Sequence, residues 1–154
     1  MTTDALVFRR AVLGDLTTIV ALLADDPIGR GRETPGTRLD IAYRDAFAAI
    51  DRDPDQLLVV AERGSRVIGV LQLSFIPGLT RRGMWRGQIE GVRVAPAERG
   101  AGIGRAMLLW GIEECRKRGC GLIQLTSDKR RSDAHAFYEA LGFRATHEGY
   151  KLML

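Results

Sequence analysis

The densest chemical signal in this sequence is a run of three glycines in alternate positions between arginines, Arg99-Gly100-Ala101-Gly102-Ile103-Gly104-Arg105. Glycines at this spacing let the backbone approach a ligand closely and allow several N–H groups to point the same way. At the start of a helix, those donors and the positive end of the helix dipole make a site for phosphate or pyrophosphate. Arg99 and Arg105 would add charge-assisted contacts. A plain connecting loop has the same composition, so the flanking residues must decide. A P-loop needs Lys and then Ser or Thr after its last glycine, and here Arg105-Ala106 follows Gly104. A dinucleotide fingerprint needs G-x-G-x-x-G near the first strand, whereas G-x-G-x-G stands late in this chain.

Other chemistries lack their residues. Cys115 and Cys120 are the only cysteines, have four residues between them, and find no nearby histidine to complete a ligand set. They are read as reduced thiols. His135 and His147 are the only histidines, which excludes a multi-histidine metal centre and gives a triad hydrolase little support. No metal is expected.

The elements that must position the glycine loop follow from periodicity. Val7-Phe8-Arg9-Arg10 reads as an opening strand, and Leu16, Ile19, Val20 and Leu23 share a helical face that Asp25-Asp26-Pro27 ends. A polar loop over 28–38 leads to a second helix with Leu39, Tyr43, Ala46, Phe47 and Ile50 on one side. The β-rich runs 57–61 and 67–73 are joined by Arg63-Gly64-Ser65-Arg66, a hairpin signal. After a loop over 77–83, a strand is expected from Trp85 to Val94. The glycine loop then opens a helix whose buried face is Ile103, Met107, Leu108, Ile112 and Cys115. That helix ends at Arg116-Lys117-Arg118-Gly119, with cations in the last turn and then a left-handed cap. A strand over 122–126, a short helix from Ser132 through Leu141, and strands over 143–146 and 150–154 complete the chain. The expected class is α/β (α+β): a mixed, mostly antiparallel seven-stranded sheet flanked by about four helices, ordered β-α-α-β-β-β-α-β-α-β-β.

Length and composition agree with one domain spanning residues 1–154. A chain of this size removes roughly 70% of its unfolded surface from water, so it needs neither disulfides nor a metal to hold a core. The 23 basic residues outnumber 19 acidic ones for a net charge of +4, and only Lys117, Lys129 and Lys151 among the basic residues are lysines. Arginine suits bidentate recognition of phosphate and carboxylate, although arginine-favouring genome composition explains the bias equally. The basic residues are scattered among acids without a nucleic-acid motif, so no nucleic-acid partner is expected. No segment approaches the ~18 apolar residues of a membrane span, and Met1-Thr2-Thr3-Asp4 does not resemble a signal peptide. The expected location is cytoplasmic, with no membrane partner.

The segments around the glycine loop resemble the GNAT superfamily of acyl-CoA-dependent N-acetyltransferases. Its main signature is matched from Glu90-Gly91-Val92-Arg93-Val94-Ala95-Pro96 through Arg99–Gly104, and its second by Ala134-His135-Ala136-Phe137-Tyr138-Glu139-Ala140-Leu141-Gly142-Phe143. The resemblance implies acetyl-CoA as cosubstrate. It places the coenzyme A pyrophosphate on Arg99, Gly100, Ala101, Gly102, Ile103, Gly104 and Arg105, and the pantetheine arm against the backbone of Val92, Arg93 and Val94. A backbone N–H that polarises a thioester carbonyl is worth roughly 3 kcal/mol in acyl-transfer sites generally. Direct attack requires a neutral amine, and an alkylamine of pKa near 10 is about three units, or roughly 4 kcal/mol, uphill at pH 7. Glu90 is the candidate base, directly or through water, and Tyr138 the candidate acid for the departing thiolate. An ion-paired strand carboxylate and a packed aromatic are the bland alternatives for these two residues. His135 is expected at the surface. Where the family often has an asparagine after the fifth strand, this chain has Ser127-Asp128-Lys129 and no asparagine anywhere, so Asp128 could replace it only as an acceptor.

The expected acceptor is a small-molecule primary amine, bound among the 28–38 loop, the second helix and the 77–84 loop. Asp25, Asp26 and Glu33 would attract its cation, whereas Arg30, Arg32, Arg38, Arg81 and Arg82 would hold a carboxylate. A peptide or protein amine, or a non-catalytic acyl-CoA-binding regulatory domain, are the competing readings. The C-terminal strand offers a free edge through which a homodimer could form.

Overall fold

The computed structural model describes residues 4–154, so Met1–Thr3, part of the start read above for a signal peptide, lie outside the described residues. The chain separates into two compact units, one ending at Gln124 and the other comprising Leu125–Leu154.

The first unit is built on strands β1 (Leu6–Arg10), β2 (Gln56–Arg63), β3 (Arg66–Ile76) and β4 (Arg86–Val94), which pair antiparallel in chain order. β5 (Leu122–Leu125) lies beside β4 at the end of the five-stranded mixed sheet. The β2–β3 connection is the two-residue turn Gly64-Ser65, both at positive φ, whose twist suits a hairpin. Helices α1 (Leu16–Ala24) and α2 (Ile41–Arg52) cover one face of the sheet. Leu16, Ile19, Val20, Leu22 and Phe47 pack there with Leu58, Val60 and Val70. Asp40 caps α2 by accepting the Ala42 N–H at 2.9 Å. Helix α4 (Ile103–Lys117) packs on β3 and β4, burying Ile103, Met107, Leu108 and Cys115 as the helical spacing predicts, with Gly111 buried in addition and Ile112 only half-buried. Its end is a Schellman cap: the Cys120 N–H reaches the Cys115 carbonyl at 3.0 Å and the Gly119 N–H the Arg116 carbonyl at 2.9 Å.

The expected seven strands and about four helices are corrected to five strands and five helices among the described residues. The added helix is the single turn α3 (Thr80–Gly83), in which Arg81 and Arg82 adopt left-handed φ of 52° and 61°. That conformation is uncommon outside glycine, so residue type did not announce it. The strands expected over 143–146 and 150–154 are not formed. An alternating pattern supplies side chains for a strand, but a strand also needs a neighbour for its N–H and C=O groups, which periodicity does not specify.

In the second unit α5 (Ser132–Ala140) follows a turn in which Asp128 accepts the Arg130 N–H at 2.9 Å. Its N-cap is Arg131 without a side-chain bond, so Ser132 lies inside the helix rather than capping it.

Candidate active site

The decisive irregularity is in β4. Gln72 pairs with Glu90, yet Val70 pairs with Arg93, so β4 carries one residue more than β3 across this stretch. The extra residue falls at Gly91-Val92, and Gly91 sits at φ 62°, as a glycine bulge requires. Such a bulge re-aims side chains and frees backbone groups from the ladder. Here it falls between Glu90, which is exposed, and Val92, Arg93 and Val94, which are half-buried.

Glu90 belongs to a strip of polar side chains that residue type alone does not single out. Gln88 donates to Glu90 Oε1 at 3.3 Å, and Gln124 donates to Gln88 Oε1 at 2.6 Å. On the neighbouring strands Gln72 and Ser74 both donate to Gln56 Oε1, at 2.9 and 2.8 Å. Strand register puts Gln72 opposite Glu90 and Ser74 opposite Gln88, so these residues share the sheet face on which Val70 meets α1 and α2. The sequence did hold a signal: polar residues at period two inside apolar strands, Gln72/Ser74 and Gln88/Glu90. The strip interrupts an otherwise apolar face with mutually hydrogen-bonded polar groups.

The glycine loop meets the requirements for an anion. Gly100 and Gly102 have φ of 79° and 78°, and a Cβ built on either would meet no atom within 4 Å, so the loop surface is open. Gly102 is the N-cap of α4 and provides no side-chain cap, which leaves the N–H groups of the first turn available to a ligand. Arg105 is exposed and has no ion-pair partner among the described residues. A pyrophosphate therefore fits this loop and would be held by the backbone from Gly102 to Arg105.

The other two arginines are already engaged. Arg99 donates to Asp25 Oδ2 at 2.6 Å and to the Val94 carbonyl at 3.2 Å. Arg93 donates to Asp26 Oδ2 at 3.0 Å and to the Val92 carbonyl at 2.8 Å. The Asp26 carboxylate is only 1% exposed and also accepts Arg32 at 2.9 Å and the Ile28 N–H at 3.1 Å. The end of α1 is thus tied to β4 and to the glycine loop. Arg93 serves as an internal tether, and Asp25 competes with a phosphate for the Arg99 guanidinium.

These pairs also resolve the charge conflict in the sequence. Asp25 and Asp26 are neutralised by arginines, and Glu33 accepts the Tyr43 hydroxyl at 2.7 Å. Of the five arginines expected near the acceptor, Arg32 is taken by Asp26. Arg30, Arg38, Arg81 and Arg82 have no ion pair among the described residues. Cys115 is buried, and burial together with the neighbouring Cys120 thiol pushes its thiol up to about 12, away from nucleophilic chemistry at neutral pH.

In the second unit, the Tyr138 ring makes edge contacts with Phe137 and Phe143, at centroid distances of 5.4 and 6.0 Å. His135 Nε2 lies 2.9 Å from the Asp128 carbonyl, a local bond rather than a catalytic one. Asp128 accepts Arg130 Nε and Nη2 at 2.9 and 2.8 Å, and this guanidinium holds its carboxyl well below the usual range. It is occupied within its own turn and is a poor substitute for a cofactor-binding asparagine. Among the described residues no group of three or more His, Cys, Asp or Glu could hold a metal, and no helix is long and apolar enough to cross a membrane.

A bulged fourth strand leading into a glycine-headed helix is matched by the acetyltransferase (GNAT) family model over residues 17–143. The chain belongs to the GNAT family. GNAT proteins are acetyl-CoA-dependent acyltransferases. Among curated relatives, the aminoalkylphosphonate N-acetyltransferase of Salmonella typhimurium is 37% identical over 140 residues, covering 90% of this chain and 85% of that protein. The glucosamine 6-phosphate N-acetyltransferase of Trypanosoma brucei brucei is 39% identical over 89 residues, 58% of each chain. A crystal structure described as a transcriptional regulator from Bacillus halodurans C-125 is 48% identical, with a TM-score of 0.94 over 97% of this GNAT chain and 100% of its own.

Proposed function

We propose that the protein transfers the acetyl group of acetyl-CoA to the primary amine of a small molecule that carries a phosphonate or phosphate group. The bound thioester supplies an activated acetyl carbon. On the protein side, the loop from Gly100 to Arg105 holds the pyrophosphate, and the backbone at the Gly91-Val92 bulge receives the pantetheine arm and acyl carbonyl. Glu90 takes a proton from the ammonium form of the acceptor, directly or through water. The amine nitrogen then bonds to the acyl carbon, the C–S bond breaks as Tyr138 gives its proton to the departing thiolate, and the second proton shed by the nitrogen, passed through water, restores the Tyr138 phenol.

The observation that carries the acceptor class is the outcome of the internal ion pairs. The acids of the 25–33 region are satisfied within the protein, while Arg30, Arg38, Arg81 and Arg82 remain for an anion. The names of the two curated relatives, a phosphonate and a phosphate ester, agree with that residue set.

The test is a thiol-release assay with acetyl-CoA and matched amines: 2-aminoethylphosphonate and glucosamine 6-phosphate against ethylamine and glucosamine. Charge-assisted contacts of about 1.5–3 kcal/mol predict a preference of roughly 10- to 100-fold in kcat/KM for the phosphorus-bearing partner. Equal rates on both members of each pair, or faster turnover of a peptide amine, would overturn the acceptor class. Calorimetric binding of acetyl-CoA with no turnover of any amine would favour a non-catalytic acyl-CoA-binding domain.

A further inference from the structure

The polar strip beside Glu90 continues along β4 to a cation that the proposed reaction does not use. Strand alternation puts Arg86, Gln88 and Glu90 on one face, while Gly87 and Ile89 are buried on the other, where a Cβ on Gly87 would strike the Cys115 sulfur of α4. Between Arg86 and Glu90 a row of neutral polar groups crosses the sheet. Gln56 pairs with Ser74, Ser74 pairs with Gln88, and Gln124 donates to Gln88 at 2.6 Å. Gln56, Gln72, Ser74 and Gln88 are all half-buried, next to Leu58, Val60 and Val70, where α1 and α2 close over the face. Side-chain amides and a hydroxyl in such a row donate and accept without carrying charge, which complements the hydroxyl groups of a ligand.

Arg86 is half-buried and has no ion-pair partner among the described residues. Its guanidinium lies in the curl of the loop that joins β3 to β4: a Cβ built on Gly78 would stand 3.3 Å from Arg86 Nη1 and 3.9 Å from Thr80 Oγ1. The glycine thus leaves a space bordered by a guanidinium fork and a hydroxyl, two groups that suit a phosphate. The Met84 carbonyl borders the same space at 3.5 Å and can accept from a ligand hydroxyl. Gly78 lies beyond the Ile76–Arg86 pair, on the side away from Glu90, so the head of Arg86 is turned from the candidate base. At about 3.3 Å per residue the Cα atoms of Arg86 and Glu90 stand about 13 Å apart. An amine at Glu90 and an anion at Arg86 are therefore the ends of a molecule longer than a two-carbon aminoalkylphosphonate. We infer that Arg86, with the Thr80 hydroxyl, is a phosphate subsite for acceptors of sugar length: an amine joined to a phosphate monoester through a hydroxyl-bearing spacer that lies over Gln72, Ser74 and Gln88. The inference rests on the reading of Glu90 as the amine end and narrows the acceptor class to amino sugar phosphates. Shorter phosphonate amines leave Arg86 empty and depend on the loop arginines.

Calorimetry with saturating coenzyme A, which has no acetyl group to give, reads the subsite without turnover. Glucosamine 6-phosphate should bind the wild-type protein roughly 10- to 100-fold more tightly than glucosamine, the range of charge-assisted hydrogen bonds. Arg86→Ala should bring that ratio below about threefold, and Arg86→Lys should restore part of it as a point charge without the fork. Glucosamine and 2-aminoethylphosphonate should bind the wild type and the variants alike. Arg86→Gln, which keeps length and polarity without charge, gives the same comparison should Arg86→Ala not fold. An undiminished ratio in the uncharged variants, or a wild type that binds glucosamine and its 6-phosphate equally, would overturn the subsite. An equal loss for 2-aminoethylphosphonate would overturn the sugar-length spacing. Thiol release from 2-aminoethylphosphonate against ethylamine does not involve Arg86, so a phosphorus preference there without an Arg86 effect here sinks the subsite alone. Tight, Arg86-dependent binding of glucosamine 6-phosphate without turnover of any amine sinks the proposed reaction alone.

Discussion

Asp25 offers a test of how the protein prepares for an anion, because removing a charge there should improve acetyl-CoA binding. Arg99 Nη2 lies 2.6 Å from Asp25 Oδ2, and the two side chains are 52% and 45% exposed. Water screens a pair so exposed, and such pairs are worth about 0.5 kcal/mol, at most about 1. If Arg99 must leave Asp25 to meet the coenzyme A pyrophosphate, that small energy is the whole obstacle. Asp25→Asn should then tighten acetyl-CoA binding by about twofold and by no more than about fivefold. Arg99→Ala deletes a charge-assisted contact of about 1.5–3 kcal/mol and should weaken binding by roughly 10- to 100-fold. In the Arg99→Ala background the Asp25→Asn change should have no effect, because the competition no longer exists.

Isothermal calorimetry with acetyl-CoA at low and high salt is the appropriate assay. Raising ionic strength shortens the screening length to a few ångströms, so the advantage of Asp25→Asn should shrink with salt. The reasoning would be refuted by weaker binding in Asp25→Asn, or by an equal gain when Arg99 is absent.

Further expectations follow from the same geometry. Asp26→Asn, one position along, removes a carboxylate that is 1% exposed and joins Arg93 to Arg32, so it should cost about 3 kcal/mol of stability in urea unfolding; no loss would contradict the tether. Glu90→Gln should lower kcat by about 10²- to 10⁴-fold at pH 7 without changing acetyl-CoA affinity, and the deficit should narrow as pH approaches the pKa of the amine; equal kcat values at pH 7 would reject the base. Tyr138→Phe should lower kcat about tenfold or more at unchanged KM for acetyl-CoA, and an unchanged single-turnover rate would reject the acid. Arg9 donates two hydrogen bonds to Asp15 and the Val12 N–H a third, and together they hold its carboxyl below the ordinary 3.8. The stabilisation is therefore fully present above that value and is lost as pH falls through the lower folded value. Asp15→Asn should cost about 1–3 kcal/mol at pH 7 and progressively less in acid, and a pH-independent difference would contradict the assignment.

Local features were the most legible in the sequence. The helical faces of α1 and α4, the two-residue hairpin and the cap at Gly119 each arise within a few residues, where spacing and residue type determine the conformation. The glycine loop was legible for the same reason, since Gly100 and Gly102 occupy left-handed positions that few other residues tolerate. Long-range pairing was not. Asp26 and Arg93 stand 67 positions apart, and nothing in either neighbourhood names the other, so their side-chain pairing was not legible.

The two missing strands and the missed polar strip have a common physical origin. Alternation along one segment tells which side chains share a face, but the meaning of that face depends on what lies beside it. Gln72 and Gln88 in isolation are ordinary strand residues; set beside Glu90 by the β3–β4 register, they become the surroundings of a candidate base. Tyr150, Leu152 and Met153 present the converse case, an apolar pattern that is exposed and forms no strand. A strand pattern therefore predicts a need for a partner and not the partner's identity.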